Sequence, residues 1–78
     1  MRGRVEFTVE PFVDADPGPH VVAAIEAVRS RGFDAEMGPF GTAIAGEAGA
    51  VTLAIADMLE AARAAGATRV ALQIDFTD

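Results

Sequence analysis

The stretch Gly38-Pro39-Phe40-Gly41-Thr42-Ala43-Ile44-Ala45-Gly46 decides how the chain is organised. Two glycines and a proline bracket an aromatic residue, the composition of a tight turn between strands. Upstream, Phe33-Asp34-Ala35-Glu36-Met37 is a short strand-like segment; downstream, Thr42 to Ala45 is another. The turn therefore predicts a hairpin, with no helix between its two arms.

Working outward, both arms are flanked by helical patterns. From His20 to Arg31, Val21, Ala24, Ile25 and Val28 recur at helical spacing, Pro19 suits a first turn and Gly32 a stop. Glu47 to Ala65 is an alanine-rich helix with Val51, Ile55, Met58, Leu59 and Ala62 on one face, ended by Gly66. Asp57, Glu60 and Arg63 lie toward its solvated side.

The outermost segments alternate with period two. In Arg4–Glu10, Val5, Phe7 and Val9 face one way, and Glu6, Thr8 and Glu10 the other. In Arg69–Phe76, Val70, Leu72, Ile74 and Phe76 are expected to enter the core. The order strand, helix, strand, strand, helix, strand predicts an α+β fold, the ferredoxin-like βαββαβ sandwich. Its antiparallel four-stranded sheet has order 4-1-3-2 and carries both helices on one face. Residues 1–78 make a single domain.

Composition narrows the function. The chain has 78 residues, half of them apolar, a size at which burial in an oligomer adds needed core. Without cysteine, it has no disulfide, thiolate nucleophile or cysteine-based zinc site. Net charge is −6 and every basic residue is arginine, which argues against nucleic acid and favours a neutral or cationic organic ligand. No run reaches membrane-span length and no signal-peptide-like segment opens the chain, so a cytoplasmic protein without a membrane partner is expected.

The predicted topology brings separated residues to one end of the sheet. Glu10, Pro11 and Phe12 close the first strand beside Phe40, Gly41 and Thr42 at the start of the third. Thr68 and Arg69 flank them, and His20 enters at the start of the first helix. Phe12 and Phe40 either plug the end of the core or wall a flat heterocycle. Glu10 either pairs with Arg69 across strands or meets a ligand's amino or cationic group. Thr42 shares parity with core-facing Ile44, and a buried hydroxyl there needs a backbone or ligand partner. His20, the one histidine, reads as a surface or pocket-rim residue, since neither nucleophile nor metal-ligand spacing accompanies it.

Neither a catalytic residue nor a metal site is assigned, and a binding protein rather than an enzyme is expected. An acylphosphatase-like hydrolase on the same fold would need a phosphate cradle with arginine and asparagine; the chain contains no asparagine. The sheet face bearing Glu6, Thr8, Ala43, Ala45, Ala71 and Gln73 is flat, and either stays solvated or packs on a second copy. A structural or interaction module assembling through that face, with no small-molecule ligand, is the alternative function.

Three segments, Phe7-Thr8-Val9-Glu10-Pro11-Phe12, Gly38 to Glu47 and Gly66-Ala67-Thr68-Arg69-Val70, resemble the small thiamine-binding (YkoF-like) family in order and spacing. The resemblance spans essentially the whole chain. It implies a ferredoxin-like homo-oligomer, a homodimer or homotetramer, that binds thiamine or its hydroxymethylpyrimidine moiety without a further cofactor. It also places the pocket at Glu10, Phe12, Phe40 and Thr42, with His20 at the rim. A cationic thiazolium and an aminopyrimidine are the chemical complement of aromatic walls and a carboxylate.

Overall fold

A computed structural model describes residues 1–11, 18–38 and 41–78. The elements are β1 (Arg2–Glu10), α1 (Pro19–Ser30), β2 (Glu36–Gly38), β3 (Gly41–Glu47), α2 (Ala48–Ala64) and β4 (Arg69–Thr77). The sheet order is β2-β3-β1-β4 with every pairing antiparallel, which is the expected ferredoxin-like arrangement read from the other edge.

Alternation in β1 explains its central place. Val5, Phe7 and Val9 are buried, while Arg4 and Glu6 are exposed on the opposite face. Across the ladders these core residues meet Ile44 and Thr42 of β3 and Ile74, Leu72 and Val70 of β4. From α1, Val21, Ala24, Ile25 and Val28 close over this surface; from α2, Val51, Ala54, Ile55, Met58 and Ala62 do. The outer face carries Glu6, Ala43 and Gln73 in one row and Thr8 opposite Ala71 in the next.

The helices start by different means. Gly18 precedes Pro19 without any side-chain cap, and its carbonyl accepts from the Val21 and Val22 amides. Glu47 caps α2 itself: its Oε2 accepts the Ala50 amide at 2.8 Å. Bonds to the amides of Gly49 and Ala50 hold its carboxyl below the usual value of 4.5. Both helices end as the glycines predict, with the amides of Phe33 and Ala67 closing back onto Val28 and Ala62 beside Gly32 and Gly66.

Four expectations change. β2 is confined to Glu36–Gly38 rather than beginning at Phe33. Phe33 instead lays its ring over Gly46 of β3, where an added Cβ would lie 2.8 Å from Cε1. Gly46 accordingly continues β3 to Glu47 instead of starting a break. On β4, Leu72 and Phe76 share the helix-side face but stay 40% and 48% exposed. The helices lie over β1 and β3, so this edge strand is covered only around Val70 and Ile74. Leu59 of α2 is likewise exposed at 40%.

Candidate functional site

At the end of the sheet where β1 finishes and the β2–β3 hairpin turns, the structure leaves a cavity of about 420 Å³. That is within the size range of small-molecule sites. Its walls are mostly apolar: Phe7 and Val9 from β1, Val21 and Ile25 from α1, and Met37 from β2. Thr8, Glu10 and Thr42 supply polar groups.

Strand register explains this convergence. Met37 stands opposite Thr42, and Thr42 opposite Phe7, so one residue from each of three adjacent strands forms a row on the helix side. Gly41 lines the cavity at the hairpin. Its φ is +145°, and a Cβ there would meet the Phe7 carbonyl oxygen at 2.7 Å and the Thr8 methyl at 3.1 Å. Only glycine accommodates that backbone and that approach.

Thr42 is buried at 7% exposure, and its hydroxyl forms no hydrogen bond among the described residues. Glu10 is half-buried at the cavity and faces Arg69 across the β1–β4 ladder, Oε2 to Nε 3.4 Å. Such an exposed pair contributes about 1 kcal/mol or less, which leaves the carboxylate available to another cation. The Glu10 backbone carbonyl accepts the Thr68 amide at 2.9 Å, which ties the start of β4 to this end.

His20 points elsewhere. Its Nε2 donates to the Pro11 carbonyl, and its ring folds over Gly18. The imidazole thereby fastens the start of α1 to the end of β1 and is not among the cavity walls. Phe12 and Phe40 lie outside the described residues. Among the described residues no group of three His, Asp or Glu side chains is placed to hold a metal ion.

Sequence reasoning passed over Met37, Phe7, Val21 and Ile25, which line the cavity. Met37 was within reach of it: a hairpin that pairs Gly38 with Gly41 necessarily sets Met37 against Thr42. Phe7, Val21 and Ile25 carried the same periodic signal as the rest of the core, and nothing in that signal separates a cavity wall from a packed interior.

The family model for thiamine-binding proteins matches residues 5–78. The chain belongs to the thiamine-binding protein family. Solved structures share the fold. A thiamine biosynthesis/salvage protein assigned in Thermotoga maritima is 28% identical, with a TM-score of 0.69 over 96% of this chain and 81% of its own. A domain of unknown function from Bacillus cereus is also 28% identical, with a TM-score of 0.70 over 95% of this chain and 72% of its own. A Streptococcus pneumoniae protein shares the fold at 21% identity, TM-score 0.79, over 100% of this chain and 89% of its own. No curated protein matches the chain. At the β1 end the cavity is lined by Glu10 and Thr42 beside its apolar walls.

Proposed function

We propose that the protein is a non-enzymatic, cytoplasmic binding protein for thiamine or its hydroxymethylpyrimidine moiety, acting as a homo-oligomer. The observation that carries this reading is the apolar cavity with Glu10 at its edge and Thr42 in its wall, in a chain of the thiamine-binding family. A flat heterocycle lies against Phe7 and the polarisable Met37 thioether. Glu10 accepts from the pyrimidine amino group or balances the thiazolium, a charge-assisted contact stronger than its exposed pair with Arg69. Thr42 supplies the neutral hydrogen bond.

The resemblance adds Phe12 and Phe40 to the ligand-binding residues we propose, and His20 acts at the rim by holding the start of α1. Self-association uses the outer sheet face, where Ala43, Ala45 and Ala71 keep the surface flat. The net charge of −6 favours the free vitamin over its diphosphate.

Titration calorimetry tests this directly. Thiamine is expected to bind, thiamine diphosphate more weakly, and Glu10→Gln and Phe40→Ala to reduce the affinity. No heat and no thermal shift at millimolar thiamine would remove the ligand and leave a module that works by assembly alone.

A further inference from the structure

Glu10 is the one ionisable side chain among the described walls of the cavity, and its charge does not stand alone. The β1–β4 ladder ends on the pair Glu10–Arg69, and the guanidinium Nε lies 3.4 Å from Oε2 of the carboxylate. Arg69 itself is not a cavity wall. The start of β4 is pinned beside Glu10, because the Thr68 amide and hydroxyl both donate to the Glu10 carbonyl, at 2.9 and 3.3 Å. The Arg69 side chain, by contrast, is 72% exposed and has water to move into. Its contact with Glu10 is looser than Arg31–Asp57 and Arg63–Glu60, both 2.5 Å. No hydrogen bond reaches the Glu10 carboxylate among the described residues.

We propose that Arg69 is a specificity-determining residue of this cavity, a tethered cation that offsets the Glu10 charge and so lets a neutral aminopyrimidine compete with a cationic ligand. The inference rests on the binding of such ligands proposed above. An ionised carboxylate offers about four acceptor positions. With Nε facing Oε2, the other oxygen stays open to the amino group of a neutral heterocycle, and neither partner of the pair has to move. A cation gains most from the undivided charge of Glu10. It meets Arg69 as a like charge already in place, so it either shares the carboxylate or drives the guanidinium into water. Sharing weakens its attraction, and displacement gives up the existing pair. The worth of an exposed ion pair limits that handicap to about fivefold in affinity. Arg69 thus acts on the charge of the ligand rather than on its shape.

Calorimetry with two probes tests this at mildly alkaline pH: thiamine, a permanent cation, and hydroxymethylpyrimidine, which is uncharged there. Arg69→Gln should tighten thiamine roughly two- to fivefold and leave hydroxymethylpyrimidine within about twofold. Arg69→Glu, which adds a second carboxylate, should tighten thiamine further. Arg69→Lys keeps the charge and should keep the wild-type ratio of the two affinities. The gain in Arg69→Gln should vanish at about 1 M salt, where exposed charges are screened within about 3 Å. A purely structural Arg69, needed to hold β4 on β1, would instead weaken both ligands together in every variant, lysine included. That result, or a thiamine affinity that does not respond to the charge at position 69, would overturn the inference while leaving the binding reading intact. If neither probe gives heat with the wild-type chain, the binding reading falls and the role of Arg69 falls with it.

Discussion

Gly41 approaches Phe7 so closely that a single methyl group on its Cα would lie 2.7 Å from the Phe7 carbonyl oxygen. The φ of +145° adds a second penalty for any other residue. Gly41→Ala is therefore expected to destabilise the fold by about 1–3 kcal/mol, measured by urea unfolding. It should also weaken ligand binding, because β3 can relieve the clash only by moving Thr42 away from Phe7.

Thr42 and Glu10 should separate by magnitude. Thr42→Val conserves shape and removes the hydroxyl, so thiamine affinity should fall by roughly 2- to 12-fold, the worth of a neutral hydrogen bond. Glu10→Gln removes a charge-assisted contact and should cost roughly 10- to 100-fold. Equal binding by both variants and the wild type, read by calorimetry, would place the ligand elsewhere.

Met37→Ala asks whether β2 contributes to the site. Met37 is largely exposed, at 58%, so its loss should leave unfolding almost unchanged. It should nevertheless lower thiamine affinity, because the thioether forms one wall of the cavity. A variant that loses stability but binds as before would assign Met37 to packing.

Met58 is fully enclosed beneath the sheet, among the largest buried side chains. Met58→Ala should destabilise by about 2–5 kcal/mol, whereas Ile44→Val should cost about 0.5–1.5 kcal/mol. A chain this small has little stability to spare, so Met58→Ala should populate the unfolded state near physiological temperature.

Glu47 links stability to pH. Its folded-state carboxyl titrates below 4.5 because the Gly49 and Ala50 amides bond the ionised form. The unfolded chain then binds the proton more tightly, so the contribution is present above about pH 4.5 and fades as pH falls through the depressed value. Glu47→Ala should lower the melting temperature at pH 7, and the difference from wild type should shrink in acid. A gap that persists at pH 3 would show that the cap acts through packing rather than charge.

How much was legible in the sequence differs between elements. The period-two pattern of Val5, Phe7 and Val9 located the central strand, and the hairpin glycines with the two helical patterns located the topology. The cross-strand meeting of Glu10 and Arg69 followed from topology as well. The start of β2 did not, because Phe33 has the composition of a strand residue yet spends its ring on Gly46. Nor did the separation of His20 from the cavity, since its hydrogen bond to Pro11 depends on how α1 enters over β1.

Local periodicity determines which side of a strand or helix is apolar, because it follows from backbone geometry residue by residue. On that basis the sequence alone determined the βαββαβ order, the inward face of each strand and the sheet end where the polar candidates gather. How far each inward face is covered depends on where the two crossovers lay the helices, a long-range outcome that no window of residues encodes. Tertiary structure therefore decided that Leu72 and Phe76 remain half-exposed on β4, and that Met37, Thr42 and the core residue Phe7 line up along a cavity.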